Sequence, residues 1–282
     1  MIASLLLALA PAQGLDPPSW SRPAPPVHIA GRTWEVGSEA LSVFVIKTPA
    51  GAILIDGGLP GYAPELLKTL AQVGVKPRDV RWILNTHAHF DHSGELAALK
   101  RETGAKVAAM AQDVPALEHG NYPGSEDRRD LDFPPVKVDR VLKDGDVVVL
   151  GGARLTAVHT PGHSAGCTSW TWTEREGGRD LKVVLECSTS VALNRLVGRP
   201  QYPGIVADYR RSFARLKATP ADIHLAPHAE FYALDAKRAK ARPGGANPFV
   251  DPAELPRTIE TSEAAFDKAL AAQTAKQQGG AK

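Results

Sequence analysis

Apolar positions along the chain change period several times, and each change predicts an element. Val80-Arg81-Trp82-Ile83-Leu84 is a short run of β-formers and predicts a buried strand. Ala40 to Ile46, Ala52 to Ile55 and Lys106 to Met110 predict three more, the first two separated by a Thr48-Pro49-Ala50-Gly51 turn. Between them, Leu66, Leu67, Leu70 and Val73 recur at helical spacing, with Pro64 in the first turn and Gly74 as the stop. Leu96 and Leu99 predict a second helix, closed by Gly104 and with Ser93 as its N-cap. Val114 to His119 predicts a short helix, with His119 on the surface at its end.

The second half repeats the style. Val147 to Leu150, Gly151-Gly152 and Ala153 to Val158 predict a hairpin. Cys167 to Thr173 and Leu181 to Leu185 read as strands, and Ile223 to Ala226 as the last one. Asp208 to Lys217 predicts a helix with Tyr209, Phe213 and Leu216 on one face. Strand–helix units thus form two halves, with no domain boundary between residues 13 and 272. Gln13 to Pro26 is proline-rich and reads as an extended arm, His28 falls before the folded core, and 273–282 reads as a disordered tail. Asn121 to Val138 is polar and aperiodic, a long connection of the functional or flexible kind.

Composition narrows the class. A chain of 282 residues with 43% hydrophobic and 23% charged residues is ordinary globular protein with ample core. A formal charge of +2, with no basic run among aromatics, argues against nucleic acid as a partner. Met1 to Ala10 is apolar but too short to span a bilayer, and Ala10-Pro11-Ala12 follows as a small-x-small site. Residues 1–12 therefore read as a signal peptide, although no Lys or Arg precedes the apolar run; a frayed or buried N-terminus is the alternative. Export implies a periplasmic or secreted protein, and no other segment is long and apolar enough to be transmembrane, so no membrane association is expected after processing. The two cysteines, Cys167 and Cys187, then favour a disulfide.

The chemistry concentrates in His87-Ala88-His89-Phe90-Asp91-His92, in a chain with only 9 histidines. A polar loop with satisfied imidazoles is the bland alternative. Against it, the cluster follows the carboxyl end of the 80–84 strand, where α/β sheets hold their ligands. His87 and His89 project to the same side of an extended chain, and the following turn lifts Asp91 and His92 toward a second position. Four such ligands crowd one tetrahedral ion, so two adjacent metal sites are expected.

This stretch resembles the signature of the metallo-β-lactamase superfamily, and the resemblance runs from about Trp34 to about Phe266. It implies an α/β fold: an αβ/βα four-layer sandwich, two packed mixed sheets with helices outside and metals at one edge. His163 in Thr160-Pro161-Gly162-His163 and His228 in Pro227-His228 match further ligand segments. The resemblance thus assigns His87, His89 and His163 to one metal and Asp91, His92 and His228 to another, with Asp91 also catalytic. Asp56 matches an aspartate that supports the metals from behind, though a turn residue satisfying backbone N–H groups would look the same. The family also has a segment overhanging the active site where 121–138 stands. Two zinc ions per chain are implied, the three-imidazole one leaving a position for water and lowering its pKa to about 7.

The substrate turns on Leu185-Glu186-Cys187-Ser188-Thr189-Ser190. Glyoxalase-type thioesterases and lactonases of the family commonly bridge the metals with an aspartate there, and this chain has Ser188. Other β-lactamase subclasses place a metal-binding cysteine there; Cys187 is the candidate, but His92 already fills the second site. Histidine at 92 with serine at 188 resembles subclass B3, as do 34–37 and 194–209. The resemblance therefore implies hydrolysis of the β-lactam amide of penicillins, cephalosporins and carbapenems, a small-molecule substrate acted on by a monomer, with lactonase or thioesterase as alternatives. Ser188 and Ser190 share one side of an extended segment and match serines that contact the substrate carboxylate; hydroxyls satisfying a turn are the alternative.

A rival from another class is Gly162-His163-Ser164-Ala165-Gly166, a literal G-x-S-x-G nucleophile elbow. Pro161 precedes it and a strand-like run follows, where that motif needs strand then helix. No S-x-x-K occurs, which argues against a serine β-lactamase. A non-catalytic metal-binding module would not need an open double site beside a long loop. His159 and His224, each four positions before a ligand histidine, read as supporting or surface residues.

Overall fold

The computed structural model describes residues 16–242 and 244–279; the expected signal peptide lies outside them. One sheet takes β1 (Val27–Ala30), β2 (Thr33–Glu35), β3 (Phe44–Thr48), β4 (Gly51–Ile55), β5 (Val80–Leu84), β6 (Lys106–Met110) and β7 (Arg140–Leu142) in chain order. Its first four strands are antiparallel and the rest parallel. The other takes β8 (Val147–Leu150), β9 (Ala153–His159), β10 (Thr168–Glu176), β11 (Arg179–Leu185) and β12 (Ile223–Leu225), with only β11–β12 parallel. The helices are α1 (Ala63–Gln72), α2 (Phe90–Ser93), α3 (Leu96–Thr103), α4 (Val114–His119), α5 (Ile205–Lys217), α6 (Leu234–Lys240) and α7 (Glu254–Gly279). Two mixed sheets packed face to face with helices outside are the expected αβ/βα sandwich.

Strand periodicity explains the layering. In β4, Ile53 and Ile55 enter the core between the sheets, where they meet Trp170, Trp172 and Leu185. Ala52 and Leu54 face the other way, onto Leu66 and Leu70 of α1 and Leu96 and Leu99 of α3. A strand covered on both faces reads as an unbroken apolar run, which is why Ala52 to Ile55 of β4 shows no alternation. Behind the second sheet, α5 and α7 pack Tyr209, Phe213 and Phe266 against Val184. Each such fully buried side chain contributes about 1.5–3 kcal/mol.

β5, β6, β8 and α4 match their expected ranges, and four regions do not. His28, expected before the folded core, lies in β1, whose Val27 and Ile29 belong to that core. The expected tail at 273–279 is the last part of α7, and Gln273 accepts a hydrogen bond from Leu196 N (2.7 Å) and donates to Asn194 O (3.0 Å). Ser93 is not an N-cap: α3 begins after Glu95, and Ser93 Oγ donates to His87 O (3.0 Å). Strand β3 starts at Phe44 because 36–43 forms a turn, closed by Val36 N to Val43 O (2.8 Å). Cys167 and Cys187 are bridged by a disulfide. No helix among the described residues is long and apolar enough to cross a membrane.

Candidate metal centre

The carboxyl ends of β4, β5, β6, β9, β11 and β12 run out toward one edge and deliver Asp56, the 85–92 loop, Asp113, His163, the 186–190 segment and His228. His87, His89 and His163 form one group and Asp91, His92 and His228 another, each offering ligand atoms within 4.8 Å of one another. In the first, ring centroids lie 4.5–4.8 Å apart. In the second, Asp91 Oδ2 is 3.1 Å from His92 Nε2 and 3.3 Å from His228 Nε2. The groups adjoin, with the His87 and His92 rings 4.4 Å apart. His119 stands apart at the exposed end of α4.

Local bonding aims the imidazoles. Asp56, in the left-handed region at φ 65°, accepts from Thr86 N (2.7 Å), Thr86 Oγ1 (2.7 Å) and Asn85 Nδ2 (3.1 Å). Thr86 Oγ1 has spent its proton on Asp56, so the 3.0 Å contact with His87 Nδ1 is a bond donated by the imidazole. That fixes the tautomer and leaves His87 Nε2 an unprotonated lone pair. Similarly, His163 Nδ1 donates to Ser190 O (2.8 Å) and presents Nε2. Gly162, at φ 146°, is a glycine because a Cβ there would lie 2.7 Å from the Tyr209 ring.

These residues fit a metal pair. His87 Nε2 is buried with no hydrogen-bond partner, a costly arrangement unless a cation takes the lone pair. Burial, reinforced by neighbouring imidazoles, holds His87 and His163 well below the usual histidine range; burial holds His89 at about 4. Neutral imidazoles are the ligating form. For Asp91, burial pushes upward but His92 and His228 outweigh it, so the carboxyl sits well below its usual range. Burial lifts Asp56 to about 6 despite His92 and the Thr86 and Asn85 bonds.

A cavity of about 280 Å³ opens over the two groups. Its walls include Phe90, Tyr122, Leu131, Leu193 and Phe231, so the 121–138 connection does border the site. Ser190 lines it as well; Ser188 does not, but its hydroxyl lies 3.2 Å from that of Ser190. Ser164 points away from the cavity, donating to Asp113 Oδ2 (2.7 Å). His159 Nε2 contacts Ala165 O (2.8 Å), and His224 is fully buried with Nε2 3.6 Å from Glu186 Oε1.

Sequence reasoning missed two residues here. Trp20, on the supposed arm, lines the cavity with its ring centroid 5.3 Å from that of His228. An aromatic isolated among prolines was the only signal. Asp113 was the other: no motif marks it, and its partners are remote in sequence. Burial raises its carboxyl above the usual range, against bonds from Ser164, Ala88 and Gly166.

The metallo-β-lactamase superfamily model matches residues 37–176. A subclass B3 metallo-β-lactamase of Bradyrhizobium japonicum superposes with a TM-score of 0.91 at 48% identity, over 92% of this chain and 98% of that one. The native metallo-β-lactamase from Legionella gormanii gives 0.87 at 35% identity, over 90% and 98%. Among curated sequences, an acyl-coenzyme A thioesterase of Gallus gallus is 32% identical over 160 residues, 49% of this chain and 55% of that protein. The chain spans about half the length of the curated relatives it matches.

Proposed function

The chain belongs to the metallo-β-lactamase superfamily, and we propose that it hydrolyses the amide bond of β-lactams with two zinc ions held by His87, His89, His163 and by Asp91, His92, His228. Five imidazoles and one carboxylate suit zinc. The observation carrying the reading is what the 186–190 segment does not offer. Glu186 faces His224, Cys187 is bridged to Cys167, and residue 188 is a serine, so no carboxylate or thiolate from this segment joins the second group. That supports the β-lactamase over a family member with a bridging aspartate. Kinship with a subclass B3 enzyme over nearly its whole length supports it independently.

Bound zinc would supply Lewis acidity for the amide carbonyl and acidify water to a pKa of about 7. The chain's residues do the rest. Asp91 turns Oδ2 toward His92 Nε2 and His228 Nε2, the atoms that would hold the second zinc with it, leaving Oδ1 to take the proton of the attacking water and return it to the amide nitrogen as the ring opens. Ser190, backed by Ser188, offers a hydroxyl to the substrate carboxylate. Phe90, Tyr122, Leu131 and Phe231 pack the ring substituents and exclude water. We further propose export after cleavage of residues 1–12, in line with the disulfide.

Metal analysis joined to turnover tests this reading. Dialysed protein should hold two zinc ions per chain, and penicillin hydrolysis should vanish on chelation and return as zinc is restored. One zinc or none at neutral pH, or turnover indifferent to chelator, contradicts it. A second reading, thioester hydrolysis, is favoured by the identity with the Gallus gallus thioesterase; it predicts acyl-thioester turnover above that of any β-lactam.

A further inference from the structure

Asp113 precedes α4 at the position where an aspartate ordinarily caps a helix, yet its side chain makes no capping bond. The carboxylate is instead buried, 2% exposed, and turned toward the metal loops. Oδ2 accepts from Ala88 N (3.0 Å) and Ser164 Oγ (2.7 Å), and Oδ1 from Gly166 N (2.7 Å). Ala88 lies between His87 and His89, while Ser164 and Gly166 follow His163. The donors therefore come from both loops of the three-histidine group and from neither Asp91, His92 nor His228. The approach is close: a Cβ on Gly166 would fall 2.5 Å from Asp113 Cγ.

We propose that Asp113 is a positioning residue that sets the spacing of His87 and His89 against His163 by tying both loops to one carboxylate. This rests on the reading of those histidines as zinc ligands. It gives the G-x-S-x-G stretch a use without a nucleophile: Gly166 admits the carboxylate and Ser164 supplies a donor. Outer partners of ligands commonly change metal affinity by about 10–100-fold. Asp113→Asn keeps the volume but turns one acceptor oxygen into a donor facing donors.

Zinc affinity, measured by competition with a chromophoric chelator, separates the two groups when each is isolated. His228→Ala leaves the three-histidine group complete, and His163→Ala leaves the other. Adding Asp113→Asn should weaken zinc binding at least about tenfold in the His228→Ala background and less than about threefold in the His163→Ala background. Ser164→Ala, removing one donor of three, should show the same selectivity at about threefold, and it carries the test if Asp113→Asn fails to fold. Equal weakening in both backgrounds, or none, overturns the proposal. If neither background binds zinc with Asp113 intact, the ligand assignment falls and the proposal with it.

Discussion

The floor of the cavity hangs from Asp56 and Asp113, which accept three hydrogen bonds each from the loops that carry the histidines. The rim is different: Trp20 and Phe90 meet only as tilted rings 6.4 Å apart, and Leu193 is 66% exposed. Charge-assisted bonds have narrow geometry and hold atoms in place, whereas apolar contact is non-directional and tolerates change. A floor built one way and a rim the other separates holding metal from selecting substrate. Changes in the floor should therefore act on metal and stability, and changes at the rim on KM.

The largest expected effect breaks the floor at a ligand. His163→Ala should remove turnover to assay background, because it opens the three-histidine group; surviving activity would refute the ligand assignment. Next comes Glu35, a buried carboxylate with few donors, which sharpens what Asp56 and Asp113 gain from theirs. Its Oε1 accepts from Gly37 N (2.8 Å), but Oε2 has no partner and Arg238 Nη2 is 3.8 Å away. Burial, only partly opposed by the Gly37 bond and Arg238, pushes Glu35 up to about 8. The folded state then binds more protons than the unfolded one above pH about 4.5, so this group's contribution falls as pH rises and levels off above about 8. At about 1.4 kcal/mol per pH unit, the loss reaches at most about 5 kcal/mol. Urea midpoints at pH 5 and pH 8 should fall more steeply for wild type than for Glu35→Gln. Parallel pH dependence would contradict the account.

The disulfide ties the same edge together across a sequence separation of 20. Replacing both cysteines by serine should cost about 3 kcal/mol, read from denaturant midpoints, with turnover per bound zinc little changed. A variant as stable as oxidised wild type would mean the cross-link adds nothing. The smallest effect is at the rim. Ser188→Ala with Ser190→Ala should lose at least about tenfold in kcat/KM, mostly through KM, since a hydrogen bond to a charged group is worth about 1.5–3 kcal/mol. An unchanged KM at full zinc occupancy would detach these serines from the substrate.

The floor's histidine clusters are more legible in the sequence than the carboxylates that support them. H-x-H-x-D-H follows a strand, Val80–Leu84, that is legible because its β-formers Val80, Ile83 and Leu84 are buried. Asp113 was not legible: its donors lie 25, 51 and 53 residues away, and only the fold brings them together. β1 and β2, of 4 and 3 residues, are too short to show a period beside so many prolines. α7 was missed because its buried residues, Leu255, Ile259 and Phe266, are sparse among alanines and polar residues over 26 positions. Its helix is held by packing against α5 rather than by an obvious apolar stripe.

Substrate competition tests the central claim most directly. kcat/KM should be measured with zinc for a penicillin, a cephalosporin, a carbapenem, an acyl-homoserine lactone and an acyl-thioester, each repeated after chelation. The account predicts that a β-lactam is turned over fastest and that every activity disappears with the metal. An acyl-thioester or lactone turned over faster than all three β-lactams, or β-lactam hydrolysis that survives chelation, would contradict it.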